Sequence, residues 1–190
     1  MPDNKSGFAA LTPVHRLTVT ALLVSMALAL SWLERLLPAQ LVAPIPGIKL
    51  GLPNVVTLFA LVYAGRKTAL TVLTVRTLLA SLLFGTVTSF VFSFAGGLLA
   101  LLGMAAMLPR RGRWFSDLGI SVAGAALHNT GQVCAAAVVL GTGRVFVYLG
   151  ALLLLSVVTG ALTGGVFALL DGRLASILPR LLGQKSGLSD

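Results

Sequence analysis

Pro44-Ile-Pro-Gly-Ile-Lys-Leu-Gly-Leu-Pro-Asn54 is a loop ruled by proline and glycine, carrying one lysine and set between two strongly apolar runs. Beside a bilayer, irregular backbone persists only where protein covers it or where it lines a wet cavity. The stretch therefore reads as the lid or wall of a binding site in a membrane protein.

The chain around it supports that setting. Of 190 residues, 57% are hydrophobic and 10% charged, whereas a soluble domain carries about 25% charged residues. Spanning a bilayer takes about 20 apolar residues in a helix, and six candidate runs appear. They cover about 14–37 (stopped by Pro38), 53–64, 68–84, 87–108 (stopped by Pro109), 118–140 and 146–170. The second is short and opens on Pro53, a residue suited to a first helical turn. Lys5 and Arg16 ahead of the first run imitate a signal peptide, but the run continues to Leu33 and more spans follow, so it reads as an uncleaved first helix. The expected fold is an all-α integral membrane protein: a six-transmembrane-helix bundle over residues 14–170, with tails at 1–13 and 171–190.

Charge sets the expected orientation. With the N-terminus in the cytoplasm, the inner segments hold Lys5, Arg16, Arg66, Lys67, Arg110, Arg111, Arg113, Arg173, Arg180 and Lys185, and the outer ones only Arg35, Lys49 and Arg144. This bias places both termini in the cytoplasm. It also accounts for the net charge of +9 without nucleic acid, since no basic cluster is interleaved with aromatics. Cys134 is the single cysteine, so neither an internal disulfide nor a cysteine metal site is available.

Polar residues inside the spans are costly and point to function. Arg76 lies roughly 14 Å along its helix from Lys67, near mid-membrane. None of Asp3, Glu34, Asp117, Asp171 and Asp190 falls at that depth on a linear reading. The expected partner of Arg76 is therefore a ligand anion or a wet cavity, with a structural arginine bonded to helix-end carbonyls as the alternative. His128 and Gln132 share one helix face, with Asn129 beside them; they read either as an interhelical hydrogen-bond cluster or as ligand contacts. Ser89 and Ser93 bring hydroxyls to the outer half of the fourth helix, among Phe84, Phe90, Phe92 and Phe94. With Lys49 and Asn54 they are expected to line one pocket, cationic at its polar end, for a small anionic molecule. Ala21, Ser25 and Ala29 form a small-residue ridge on the first helix, read either as bundle packing or as a docking surface for another subunit. Gly160 and Gly164 form a second ridge with the same two readings.

Catalytic signatures are missing. There is no Walker-A or G-x-G-x-x-G pattern. No pair of neighbouring acids is present to hold magnesium on a diphosphate. The chain reads as a non-enzyme without cofactor or metal.

Four blocks carry a likeness: Pro46-Gly-Ile-Lys-Leu-Gly-Leu-Pro-Asn54, Arg76-Thr-Leu-Leu-Ala-Ser-Leu-Leu-Phe-Gly85, Ser93-Phe-Ala-Gly-Gly97 and Gly119-Ile-Ser-Val-Ala-Gly-Ala-Ala-Leu-His-Asn-Thr-Gly-Gln132. They resemble the signature blocks of the Gx transporter family, also labelled heptaprenyl diphosphate synthase component I, over about residues 15–170. That family is similar to the substrate-binding S components of energy-coupling factor transporters. The resemblance implies a six-helix protein of the cytoplasmic (inner) membrane with an outward-facing site capped by the loop that carries Lys49. It implies a first-helix ridge that docks on a transmembrane coupling subunit, and separate ATPases that energise import. The expected ligand is an anionic vitamin, cofactor or isoprenoid-type precursor. The alternative, suggested by the second label, is a non-catalytic membrane partner of a prenyl diphosphate synthase.

Overall fold

The computed structural model describes residue 8, residues 11–36 and residues 49–181, with side chains described as far as residue 173. The first part of the signature loop, 44–48, and the ends of both tails lie outside the described residues.

Six helices follow one another: α1 (Pro13–Leu33), α2 (Asn54–Tyr63), α3 (Gly65–Phe84), α4 (Val87–Met107), α5 (Asp117–Leu140) and α6 (Leu149–Leu181). No strand occurs among the described residues. All but α2 are long and apolar enough to cross a membrane. The protein is an all-α, six-helix membrane bundle.

Local chemistry explains the boundaries. Thr12 caps α1, its hydroxyl accepting from the His15 N–H at 3.4 Å, with Pro13 in the first turn. Thr86 and Ser116 cap α4 and α5 in the same way. Gly141, at φ 64°, ends α5 in the left-handed conformation that glycine tolerates. A single residue, Ala64, separates α2 from α3, and the reversal there uses Gly65 at φ 88°. The last helix runs on to Leu181, past Leu170 where the apolar run was expected to end.

The short helix α2 is apolar on nearly every side because the bundle surrounds it. Asn54, Val56, Thr57, Leu58, Ala60, Leu61 and Val62 are all buried, and α2 packs on α3, α4 and α6. Ten residues rise only about 15 Å, half a bilayer core, so α2 fills the middle of the bundle instead of spanning it. Outward-facing Leu22, Leu82, Val138, Leu154 and Leu169 are exposed, as suits a surface meeting lipid.

With lipid as apolar as leucine, helix association depends on close backbone approach. A side chain on Gly160 would stand 2.5 Å from the Val122 Cα, and one on Gly164 2.9 Å from the Leu118 Cα. That ridge is internal packing between α6 and α5. Gly131 on α5 lies against the Gly96 backbone of α4 in the same way, at 2.8 Å.

At one end of the bundle Arg111 ties three elements together. Its guanidinium bonds Asp117 through both Nε and Nη2 and reaches Asp171 of α6 at 2.8 Å. The Tyr63 hydroxyl also donates to Asp171, and the Phe167 ring lies 5.2 Å beneath the guanidinium. The Asp117 carboxylate, and then Asp171, holds the Arg111 pKa above its already high range.

Candidate functional site

The opposite end carries the polar residues singled out from the sequence. Lys49 to Pro53 cross the bundle and deliver the chain into α2 with Gly51 at φ 85°. A Cβ on Gly51 would stand 2.9 Å from both the Asn54 Nδ2 and the His128 ring. Only glycine permits this turn to lie so close to those side chains.

Two clamps hold the turn. The first is Gln132, whose Oε1 accepts from the Lys49 N–H at 2.9 Å while its Nε2 donates to the Lys49 carbonyl at 2.7 Å. A side-chain amide thus pairs with the backbone as a neighbouring strand would. The second is Glu34, in the 3-10 turn Glu34–Leu36 after α1. Its Oε1 accepts from the Gly51 and Leu52 N–H groups, the latter at 3.2 Å.

Arg76 lies beneath. It is 3% exposed, and its Nη2 donates to the Asn54 Oδ1 at 3.2 Å. Its immediate wall is Gly97, where an added Cβ would meet Nη2 at 3.4 Å. Among the described residues no ion pair joins Arg76 to an acid; Glu34 is the acid that lies near enough to act electrostatically on Arg76 and Lys49. Counting residues along one helix places Glu34 at a helix end, whereas folding turns it inward until it is 3% exposed. Lys49 is half-buried; burial pushes its pKa below the usual lysine range, and Glu34 opposes that shift.

Around this core, several buried polar atoms have no hydrogen-bond partner among the described residues: Asn54 Nδ2, Thr57 Oγ1, Arg76 Nε, Ser93 Oγ and both ring nitrogens of His128. The His128 ring packs against the Gly96 backbone, where an added Cβ would meet Nδ1 at 3.1 Å. Buried polar groups in folded proteins nearly always find partners, so these atoms make up the candidate site.

A family model, heptaprenyl diphosphate synthase component I, matches residues 23–170. The chain belongs to this family. No curated protein and no solved structure matches it. The stretch matched to heptaprenyl diphosphate synthase component I contains Glu34, Lys49, Asn54, Arg76, Ser93, His128 and Gln132.

The remaining residues singled out from the sequence fall into different places within the chain. Asn129 directs its Nδ2 to the Leu152 carbonyl at 3.1 Å and the Ser156 Oγ at 2.8 Å, and its Oδ1 accepts from Gln132. It bolts α5 to α6 and orients Gln132. Ser89 is buried in the first turn of α4, and no bond joins it to the cluster among the described residues. The expected aromatic wall does not form as one surface. Phe92 belongs to a core with Val133, Ala136, Val145 and Leu152, Phe90 stacks on Phe94, and Phe84 lies under Arg35. Thr57 and Glu34 escaped the sequence reading. The spacing of Thr57, three residues after Asn54, was the available signal for one; nothing local signals the other.

Ala21, Ser25 and Ala29 are exposed along α1, and the Ser25 hydroxyl turns back to the Ala21 carbonyl at 2.9 Å. Ala29 also borders an apolar cavity of about 610 Å³ between α1, α2 and α6. Among the described residues the ridge is exposed along its length.

Proposed function

We propose that this chain is the membrane-embedded, substrate-binding subunit of a small-molecule importer, similar to an S component. It recognises an anionic vitamin, cofactor or isoprenoid-type precursor and is energised by separate coupling and ATPase subunits. The observation that carries the reading is the set of unpartnered buried polar atoms on Asn54, Thr57, Arg76, Ser93 and His128, with Arg76 bonded to Asn54 and the His128 ring against Gly51 of the loop. A stability-only role would leave such atoms bonded. The excess of donors, with Arg76 offering nothing else, suits a ligand head that accepts hydrogen bonds. The loop with Lys49 is the gate, facing outward as the charge distribution suggests. The chain contributes recognition and no catalysis. The exposed ridge of Ala21, Ser25 and Ala29 is assigned to docking on the coupling subunit.

The test is to purify the chain, identify any ligand carried with it by mass spectrometry, and measure its affinity. Arg76→Ala is expected to weaken binding about tenfold or more. Unchanged affinity refutes the role of Arg76.

The family's description favours a second reading, a non-catalytic membrane partner of a prenyl diphosphate synthase. Recovery of the chain with a soluble synthase, without ligand uptake, is the result that would support it.

A further inference from the structure

We propose that the apolar cavity between α1, α2 and α6 is a second binding site. It seats one hydrocarbon chain of an anionic membrane phospholipid, whose head group lies at Arg16 and Arg173. The site is separate from the polar cluster and uses none of its residues.

At about 610 Å³, the cavity falls in the range of about 300–1,000 Å³ common to ligand sites. Helix α2 divides it from the polar cluster: Asn54 turns to Arg76, whereas Val56 and Phe59 face the cavity. The floor is preformed. The Phe59 ring stacks on Tyr63 at 4.5 Å and meets Phe167 edge-on at 6.4 Å. Helices α1 and α6 flank α2, α1 packing on α3 and α6 on α5. Met26 on one wall and Val166 and Leu170 on the other are exposed, so the cavity opens sideways onto the surface that meets lipid.

Chemistry, length and charge select the occupant. Every lining side chain is apolar, and non-helical protein backbone cannot lie in such surroundings because its polar groups would stay unbonded. Along α1 the lining runs from Val19 to Leu30, a rise of about 16 Å. One leaflet of a hydrocarbon core about 30 Å thick has nearly that depth. A helix about 10 Å across would occupy roughly twice the cavity over the same length; a single chain is slimmer. The rim is basic at one end. Glu34 places the C-terminal end of α1 at the loop, so Arg16 lies toward the other end, one turn before Val19 on the same face. That is the end where Asp171 is bonded to Arg111 and Tyr63. Arg173 lies two residues beyond Asp171 and three beyond Leu170, on the cavity's side of α6. Both arginines are exposed. The Arg16 Nε donates to the Leu11 carbonyl at 3.0 Å, and what the rim supplies is charge. Two guanidiniums beside a chain-sized apolar slot match a phosphate head joined to a hydrocarbon tail.

The experiment titrates the full chain in detergent with dioleoyl phosphatidylglycerol and dioleoyl phosphatidylcholine, which share chains and differ in charge. Native mass spectrometry counts the bound lipid. One phosphatidylglycerol per chain is expected, held at least about tenfold tighter than phosphatidylcholine, since each arginine beside an anionic head is worth about fivefold. Arg16→Gln and Arg173→Gln should each lose about fivefold for phosphatidylglycerol and leave phosphatidylcholine unchanged. Met26→Phe and Val166→Phe each put a ring into the opening from an exposed position, and either should weaken both lipids about tenfold. Should one phenylalanine variant not fold, the other decides. Arg76→Ala should leave phospholipid binding as it is. Equal affinity for the two lipids overturns the proposal, as does phosphatidylglycerol binding that neither phenylalanine variant weakens. A loss in Arg76→Ala moves the lipid to the polar cluster and overturns it as well. So does a lipid-free assembly, of two copies or with another membrane subunit, that Val166→Phe breaks, because the cavity then belongs to a protein contact.

Discussion

Replacing Gly96 with alanine adds one methyl group at the seam between α4 and the polar cluster. Its Cβ would stand 2.6 Å from the His128 carbonyl oxygen and 2.8 Å from the Gln132 Cγ. Ordinary contact begins at 3.4 Å, so the nearest approach is short by about 0.8 Å. The nearest atom is backbone in the middle of α5 and has no rotamer to change. Helices α4 and α5 must part, or α5 must shift at His128. Overpacking of this kind costs about 1–3 kcal/mol. Alanine recovers about 1 kcal/mol of helix propensity, which obscures the sign unless a matched control removes it. Gly165→Ala is that control. It lies in the interior of α6, and its Cβ would meet nothing within 4 Å. The propensity gain is common to both variants, so Gly96→Ala should melt below Gly165→Ala by an amount equivalent to about 1–3 kcal/mol. The displacement also strains the pair of bonds between Gln132 and the Lys49 backbone. Each is worth about 0.5–1.5 kcal/mol, so occupancy by the co-purified ligand should fall about tenfold. Tryptophan-fluorescence melting in detergent and ligand mass spectrometry measure the two effects. If Gly96→Ala melts with Gly165→Ala and keeps its ligand, the packing and its link to the loop are refuted.

Other outcomes follow from single contacts. Gln132→Leu leaves the Lys49 N–H and carbonyl unpaired, so hydrogen exchange at Lys49 to Leu52 should accelerate and ligand affinity fall; protection unchanged from the unmodified chain would show that the clamp does not hold the loop. Arg111→Met strands Asp117 and Asp171 at the other end, and thermal melting should register a loss of about 1–3 kcal/mol while ligand affinity stays constant; a drop in affinity would mean that the two ends are coupled. Ser25→Leu enlarges the exposed ridge on α1, so the isolated chain should melt normally but fail to co-purify with a coupling subunit; normal assembly would remove the ridge from the docking surface.

Much of this architecture was legible in the residues. Apolar runs such as the one opened by Pro53 and the one stopped by Pro109 mark helices because lipid requires every backbone group to be bonded within its own segment. Asn54, Arg76, Ser93, His128 and Gln132 stood out because polar groups are expensive in apolar spans, and the fold brings Asn54, Arg76, His128 and Gln132 to the Lys49–Asn54 turn. The partial departures are instructive. The signals at Asn129 and Gln132 are alike in sequence, yet Asn129 is bound to α6 and Gln132 to the loop. The aromatic residues near α4 look like one wall by spacing but diverge onto a core, a stacked pair and a cation contact.

Hydropathy and residue type alone determined that this is a helical membrane bundle and which of its polar residues are unusual. Those conclusions depend on local properties, a residue's own solvation cost and its neighbours along one helix. Only the tertiary structure decided that Glu34 holds the Gly51 and Leu52 amides, that Gly160 and Gly164 are internal, and that α2 is enclosed by its neighbours. Each of these rests on contacts between segments distant in the chain, and a one-dimensional count of depth along separate helices carries no information about which helix ends fold inward.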